Sequence, residues 1–458
     1  MNPTRVWRAA IAVCALTVVL AGPLRACVLC EALGCPAHPS GDHNHALPEP
    51  SQVASGVGLY SYDAPVPRGG RPTSTVPVFN SRPGAHAKLF LDFDGVDFGS
   101  LSWSGKLPGL RPAYDIDGDI STFGTEEQRR IEQIWSRVAE AYSMFDINVT
   151  TEDPGNYNRR ESAHIVISGN NEWYGGGGGV AYIGGFSSSA SAQTRRTGWV
   201  FPGNLRSGDA KVVADAAIHE AGHLFGLQHQ STYTTAGTRT DTYDSNSDSI
   251  LSAPNLGVAY NARRGLWSIG ANSNSANSVV DEITTIARST NGFGYAPDEP
   301  GTGFANAELF MPSADPLRGV IRDNNDADFY RFEVTEPSEV SLLVDVAQYG
   351  PNLDARLALY DSDQMLLFED DPTLSTSRES LTASFAGVLE AGVYFLEVAS
   401  HGGFTYDNGP RDRTLVDAGQ YFLSGLVAAV VPEPGAVALL ALLGCASAPH
   451  LGRGVRRR

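Results

Sequence analysis

The chain has 458 residues, which is long enough for two or three domains that each bury a hydrophobic core. Hydrophobic residues make up 42% of the chain and charged residues 18%, a composition that excludes a wholly disordered protein. Lys and Arg total 33 against 51 Asp and Glu, a formal net charge of -18. This acidic balance argues against a nucleic-acid partner, because phosphates would be repelled, and it suits a soluble extracellular protein.

The first 26 residues are predicted to be an export signal. Arg5 and Arg8 precede an apolar stretch over residues 9–22, which is short for a membrane span; an N-terminal anchor or a lipidated Cys27 are the alternatives. Residues 27–84 are rich in Pro, Gly and His and indicate a leader or linker. Its Cys27, Cys30 and Cys35 favour a local disulfide with one odd thiol over a small metal site.

The region from residue 85 to residue 292 mixes strand and helix patterns. Alternating residues 88–93 predict a strand, and two more strands are predicted at residues 147–151 and 164–168. Between the first and the second of these strands, a helix is predicted to begin at Thr125. Its one apolar face is formed by Ile131, Ile134, Trp135, Val138 and Tyr142.

Two acidic segments bear on calcium. Asp115, Asp117 and Asp119 resemble the beginning of a calcium-binding loop, although a solvated turn is the favoured interpretation. Asp323 and its neighbours Asp326 and Asp328 carry the same ambiguity. Calcium therefore stays an open hypothesis at both places.

A run of five glycines at residues 175–179 precedes a short apolar segment. No lysine followed by Ser or Thr comes after the run, so a phosphate-binding loop is disfavoured. The run is interpreted as a mobile loop before an edge strand formed by Val180, Ala181, Tyr182 and Ile183.

The residues with the clearest chemical meaning lie at the end of a helix predicted over residues 212–224. His219 and His223 are four residues apart and would share one helix face, where both can bind one metal ion; Glu220 beside them can accept a proton. In a continuous helix, His229 would lie about 15 Å beyond His219. A third ligand therefore requires the chain to turn back, and Gly226 stands where a left-handed cap would permit it.

These eleven residues match HExxHxxGxxH, and the region resembles the metzincin zinc peptidases. The resemblance implies one catalytic Zn²⁺ on the three histidines, a water activated by zinc with Glu220 as general base, and a polypeptide substrate paired with the edge strand. It also implies a methionine turn beneath the metal, where Leu256 replaces methionine. Tyr260 is then a candidate wall of the specificity pocket, with a plain core tyrosine as the equal alternative.

Short alternating segments predict an all-β domain over residues 296–428. Their order resembles the bacterial pre-peptidase C-terminal domain, a β-sandwich, with matching segments at residues 326–332, 352–360, 391–396 and 419–421. The resemblance implies an accessory role in secretion or in binding substrate, extracellular matrix or polysaccharide. The predicted fold is thus an α+β metzincin-like catalytic domain, with a mixed twisted sheet and an active-site helix, followed by an all-β sandwich domain.

The last segment, residues 431–458, contains Pro432, Glu433 and Pro434, then an apolar stretch and terminal arginines. It resembles the PEP-CTERM sorting signal of bacterial surface proteins, which implies an exosortase-type sorting enzyme as partner and a cell-surface or extracellular location. A permanent transmembrane tail anchor is the alternative.

Three functions fit these patterns. The first is a secreted or surface-sorted zinc endopeptidase, favoured because a general base beside the metal ligands has little use in a binding protein. The second is a catalytically silent metzincin scaffold that binds surface or biofilm-matrix components. The third is zinc hydrolysis of a non-peptide amide, which the motif alone does not distinguish from peptide hydrolysis.

Overall fold

The computed structural model describes residues 75–190, 193–246, 249–297, 301–372 and 381–430. The predicted signal peptide, the leader up to residue 74 and the predicted sorting segment lie outside these residues. Within the described ranges, no helix combines the length and apolarity needed to cross a membrane.

The first part of the described chain, up to residue 297, contains three α-helices and thirteen strands, with 3-10 turns at Gln193–Arg196 and Pro202–Asn204. The helices are α1 (Thr125–Ala141), α2 (Ala210–Leu224) and α3 (Glu282–Ala287). The strands are β1 (Ala87–Asp92), β2 (Val96–Asp97), β3 (Leu110–Arg111), β4 (Ile147–Thr150), β5 (Ser162–Ile167), β6 (Gly179–Val180), β7 (Thr197–Val200), β8 (Thr232–Tyr233), β9 (Arg239–Asp241), β10 (Ser252–Pro254), β11 (Arg264–Leu266), β12 (Ser268–Asn272) and β13 (Ser275–Asp281).

A five-stranded mixed sheet organises this part, in the order β4-β1-β5-β7-β6. The pairings among β4, β1, β5 and β7 are parallel, and β6 pairs antiparallel with β7 at one edge. Strands β4, β5 and β7 are buried along their whole length, as expected when both faces of a parallel sheet are covered. The first hydrophobic core joins this sheet to α1 and α2.

Helix α1 follows directly from its sequence. Its apolar face, which includes Ile131, Ile134 and Val138, is buried in the first core. In the first turn the Glu127 carboxylate accepts a hydrogen bond from the Gly124 N–H at 2.7 Å, which satisfies one of the helix's unpaired donors. The helix therefore begins where the acidic turn predicts and packs across the sheet.

The second part is all-β apart from a 3-10 turn at Phe304–Asn306. Its strands are β14 (Glu308–Leu309), β15 (Leu317–Ile321), β16 (Ala327–Val334), β17 (Ser338–Val346), β18 (Ala355–Tyr360), β19 (Leu366–Asp370), β20 (Ala383–Leu389), β21 (Gly392–Ser400), β22 (Phe404–Tyr406), β23 (Arg413–Leu415) and β24 (Gly419–Ala429). Sheets β14-β16-β21-β18-β19 and β15-β24-β17-β20 contribute side chains to a second hydrophobic core. Buried and exposed residues alternate along β16 and β17, as in a two-sheet sandwich.

Strands β22 and β23 do not join the sandwich. They form an antiparallel hairpin, and β23 pairs with β12 to make the four-stranded sheet β13-β12-β23-β22. Val416 and Ala418, just after the hairpin, are buried in the first core. The chain therefore returns to the first part between β21 and β24, an arrangement that strand alternation does not predict.

Candidate metal centre

Helix α2 carries the first part of the site. Its first turn is capped by Asp209, whose carboxylate accepts a hydrogen bond from the Val212 N–H at 3.1 Å. Because many of its side chains are small, the helix packs closely on the sheet and on α1, and almost every one of its residues is buried. The helix places His219 and His223 on one face, with the centres of their rings 4.7 Å apart.

The helix ends in the turn that the sequence requires. Gly226 has φ of 103°, its N–H donates to the His223 carbonyl at 2.8 Å, and the Leu227 N–H donates to the Gly222 carbonyl at 3.0 Å. This pair of bonds is the Schellman arrangement, in which a left-handed residue reverses the chain after a helix. The reversal brings His229 back toward the helix.

The three histidines converge. His229 lies with its ring centre 5.2 Å from that of His219 and 4.7 Å from that of His223. One nitrogen from each ring lies within 4.8 Å of the other two, and Nε2 of His223 is 3.0 Å from Nε2 of His229. Nitrogens bound to one zinc ion are separated by about 3.4 Å, because each lies 2.0–2.1 Å from the metal in a tetrahedral arrangement. The cluster has the size of a zinc site.

The outer nitrogens of two histidines are held by backbone carbonyls. Nδ1 of His219 lies 2.9 Å from the Asn255 carbonyl, and Nδ1 of His223 lies 2.8 Å from the Leu227 carbonyl. A carbonyl only accepts, so each Nδ1 is the protonated nitrogen and each Nε2 keeps its lone pair for a metal. The donor set therefore fits zinc in type and number, and in tautomer at His219 and His223.

Glu220 lies beside the cluster and is buried. Its Oε2 atom makes no hydrogen bond with any described group, and burial raises the pKa of its carboxyl well above the ordinary value. A buried carboxylate without such a bond is costly, and a bound cation and water would supply the missing interactions. The strand β6 covers it closely: a β-carbon placed on Gly179 would lie 2.7 Å from Cγ and Oε1 of Glu220.

The predicted edge strand is shorter than expected. Only Gly179 and Val180 pair with β7, whereas Ala181, Tyr182 and Ile183 lie outside any strand, so the prediction of a strand over all four residues 180–183 was wrong. The chain leaves the sheet because it turns onto α2: the Gly184 N–H donates to the His223 carbonyl at 2.8 Å. β6 is nevertheless the antiparallel edge of the sheet next to Glu220.

Leu256 and Tyr260 both lie at the site. Leu256 is fully buried, and its Cδ2 would be 3.0 Å from a β-carbon on Gly222, which stands between the two helical histidines. It thus forms an apolar floor below the cluster. The Tyr260 hydroxyl would be 3.3 Å from a β-carbon on Gly178, so Tyr260 stands beside the glycine loop that leads to β6.

One residue at the cluster was missed by sequence reasoning. The ring of Tyr243 lies 4.5 Å from the His229 ring and 6.1 Å from the His219 ring, centre to centre. Its spacing from the motif carries no periodic signal, because Tyr243 reaches the site from a loop after the helical turn. Only the folded chain brings it there.

The first acidic segment also gains a partner in the structure. Carboxylate oxygens of Asp115, Asp117 and Glu127 lie within 4.8 Å of one another, whereas Asp119 is not part of the group. Glu127 accepts hydrogen bonds from the N–H groups of Ile116 and Gly124. Such contacts also occur in a loop that binds no ion, so calcium stays a hypothesis.

The fold and site define a metallopeptidase-like part joined to a β-sandwich, and comparison with protein families agrees. Residues 128–230 match the model for "Metallo-peptidase family M12B Reprolysin-like". Residues 326–400 match the model for the bacterial pre-peptidase C-terminal domain. The predicted pairing of a metallopeptidase domain with a pre-peptidase C-terminal domain is confirmed; the sorting signal is not part of either match.

Solved structures give remoter similarities. The pre-peptidase C-terminal domain of collagenase from Bacillus anthracis is 18% identical and covers 29% of this chain and 98% of its own, with a TM-score of 0.19. PliG of Aeromonas hydrophila, a periplasmic inhibitor of g-type lysozyme, is 9% identical over 26% of this chain and 95% of its own, with a TM-score of 0.15. No curated protein matches the chain. The identification of a metallopeptidase domain and a pre-peptidase C-terminal domain therefore rests on the two family matches.

Proposed function

We propose that the protein is a zinc-dependent endopeptidase that hydrolyses polypeptides with Glu220 as general base. The observation that carries the proposal is the convergence of three imidazole nitrogens within 4.8 Å of one another beside a buried carboxylate. The M12B match covers all four of these residues and supports the same chemistry. A scaffold kept only for binding would have no need of the buried Glu220.

The protein groups have distinct tasks. His219, His223 and His229 would hold the metal through their Nε2 atoms, while backbone carbonyls orient the first two rings. A bound zinc ion supplies Lewis acidity, polarising the scissile carbonyl and making water a better nucleophile at neutral pH. Glu220 accepts the proton from the attacking water at a carboxylate oxygen and donates it to the leaving amide nitrogen.

The substrate is expected to align along the outer edge of β6. Among the described strands β7 is the one that pairs with β6, so the outer edge of β6 has no strand partner there. An extended peptide can add to such an edge through main-chain hydrogen bonds, which places its carbonyl groups along the line of Glu220. Because this recognition uses the backbone, it favours internal peptide bonds in an extended segment over free amino acids.

We further propose that the protein acts outside the cytoplasm. Support comes from the sequence alone: the basic and apolar N-terminal segment suggests export, and residues 431–458 suggest sorting by an exosortase-type enzyme to the surface. An extracellular matrix or polysaccharide is a further partner that this location would offer the sandwich.

The function is tested with the full chain and its Glu220→Gln variant. We expect the parent to cleave casein and an internally quenched peptide, and the variant to lose nearly all activity while keeping one zinc per chain, since Glu220 is not a ligand in this proposal. Zinc is measured by atomic absorption after dialysis, and peptide products by mass spectrometry. Glu132→Gln, an exposed carboxylate on α1, serves as the matched control.

The outcomes separate the alternatives. Stoichiometric zinc without cleavage across a broad peptide library would contradict the peptidase and favour the silent scaffold. Cleavage of small amides but of no peptide would favour amide hydrolysis instead. A folded parent that holds no zinc would overturn the metal site itself.

A further inference from the structure

We propose that the β22–β23 hairpin, residues 404–415, is part of the metal centre, with Arg413 as a positioning residue for the segment that carries His229. The inference rests on the proposed zinc site. The hairpin begins just after the pre-peptidase C-terminal match ends at residue 400, so neither family match contains it. The C-terminal part of the chain is then required for metal binding, beyond the accessory role that the sandwich resemblance implies.

The first step is the contact between Arg413 and the residues that follow His229. The Arg413 guanidinium donates one Nη1 hydrogen bond to the Gln230 side-chain carbonyl. Its Nη2 donates to the Ser231 carbonyl at 2.9 Å and to the Ala271 carbonyl at 2.8 Å. A guanidinium presents its donors in a rigid plane, so these bonds determine where the chain runs after the third ligand.

The second step is the hairpin's hold on the segment that contains Tyr243. Nε of Arg413 lies 2.7 Å from Oδ2 of Asp244, and the Tyr406 hydroxyl donates to the same oxygen at 2.7 Å. The Asp244 N–H in turn donates to the Gln230 carbonyl at 2.7 Å. The hairpin therefore fixes the position of Asp244 and, with it, of the neighbouring Tyr243, whose ring lies against His229.

A third contact comes from the hairpin loop. The Asn408 Nδ2 group donates to the Ser231 carbonyl at 3.0 Å, and the Asn408 Oδ1 atom accepts from the Tyr233 N–H at 3.2 Å. The amide side chain thus binds the same backbone segment on two sides. Residues from two strands and the loop of one hairpin therefore contact either residues 230–233 or Asp244.

Burial explains why these contacts concern the site and not general stability alone. Arg413 is 0% exposed and Asp244 1% exposed. A buried ion pair gains little net stability over apolar residues of the same volume, because both charges lose their hydration. Its contribution lies in orientation, since each charged partner tolerates only the geometry that satisfies it.

The test measures zinc affinity in full-length variants, using competition with a chromogenic chelator. Arg413→Lys keeps the charge and loses the planar fork, and we expect its zinc affinity to fall about 10–100-fold, as for other changes behind metal ligands. Arg411→Lys is the matched control, because Arg411 lies on the same hairpin and is exposed. Leu342→Ala, in the sandwich core, reports the effect of destabilisation alone; both controls are expected to keep the parental affinity.

If Arg413→Lys does not fold, two milder variants of the same hairpin replace it. Tyr406→Phe removes the hydrogen bond to Asp244, and Asn408→Ala removes those to Ser231 and Tyr233. A smaller loss of zinc affinity is expected from each. A folded Arg413→Lys with parental affinity, or unchanged affinity in both milder variants, would overturn the inference. A parent that binds zinc but cleaves nothing removes the proposed activity and leaves this inference supported or refuted by the affinities. A parent that binds no zinc removes both.

Discussion

At the residue scale, the shape of the proposed metal site depends on Gly179 and Leu256 as much as on the three histidines. Gly179 lets β6 pass Glu220 at contact distance, and Leu256 fills the floor where the metzincin resemblance implies methionine. Leucine and methionine have similar volumes, so the exchange preserves an apolar support beneath the helix. Leu256 thus gives the proposed metal site an apolar support.

Gly179→Ala tests the close passage of β6. The added β-carbon would lie 2.7 Å from Glu220 and 2.8 Å from the Trp199 carbonyl, so either the strand or the carboxylate must move. We expect kcat/KM to fall about 100-fold with zinc content unchanged, because a displacement near 1 Å disrupts the reacting geometry. Peptide-cleavage kinetics and metal analysis measure the two quantities.

Gly84→Ala is the control for this substitution, because a β-carbon there would have no neighbour within 4 Å. It is expected to retain the parental kinetics. Parental kcat/KM in Gly179→Ala as well would show that β6 does not constrain Glu220.

At the element scale, the convergence of the three histidines depends more on how α2 ends than on how long the helix is. The helix presents two of the proposed ligands through its own periodicity, and the third reaches them because the chain reverses at Gly226. The short β6 has a similar cause, since the chain leaves the sheet to bond the end of α2 at His223. The segment after β6 is thus bonded to the helix at one of the proposed ligands.

Gly226→Ala tests the reversal. At φ of 103° an alanine is strained, so the free energy of unfolding should fall by about 1–2 kcal/mol, and zinc affinity should fall because His229 shifts. Gly99→Ala, at φ of 54° with open space around its β-carbon, should lower stability by a smaller amount and leave zinc affinity unchanged. Urea unfolding and chelator competition measure both; equal zinc affinities in the two variants would contradict the role of the turn.

At the scale of the whole molecule, the two parts share a buried polar boundary. The Glu140 carboxylate of α1 accepts hydrogen bonds from the Asn352 N–H at 3.1 Å and from the Gln420 side chain at 2.8 Å. Arg264 pairs with Asp417 at 2.7 Å close by. Polar groups buried to this degree must keep their partners, so the parts are expected to unfold together.

Glu140 should make stability depend on pH. Burial raises the pKa of its carboxyl from 4.5 to about 7, so the folded state holds the proton more tightly than the unfolded state. The stability that protonated Glu140 contributes is complete below pH 4.5. As pH rises toward 7 this stability is lost, and the free energy of unfolding falls by up to about 3 kcal/mol. In Glu140→Gln this loss should disappear, as urea unfolding at pH 5 and pH 8 would measure.

Glu132→Gln, on the exposed side of the same helix, should keep the parental pH dependence. An unchanged slope in Glu140→Gln would mean that Glu140 stays ionised at the boundary across this range.

Much of the fold and most of the site could be predicted from local patterns. The strand beginning near Lys88, helix α1 and the helix bearing His219 follow from spacing of two or about four residues, which a single element imposes on its own side chains. Local patterns failed at residues 181–183, where the chain leaves the sheet and bonds to α2. They also carried no information on Tyr243 or on the contact of Asp115 with Glu127, because those contacts join residues of different elements and loops.

The sequence by itself determined the proposed ligand set. Two histidines one helical turn apart, a carboxylate between them and a glycine before the third histidine all lie within eleven residues. Only the tertiary structure decided what surrounds them. Arg413 reaches the segment after His229 across more than 180 positions, and such a contact depends on how two sheets pair and not on any local period. The reason is physical: local geometry follows from neighbouring residues, whereas burial and charge pairing exist only after the chain has folded.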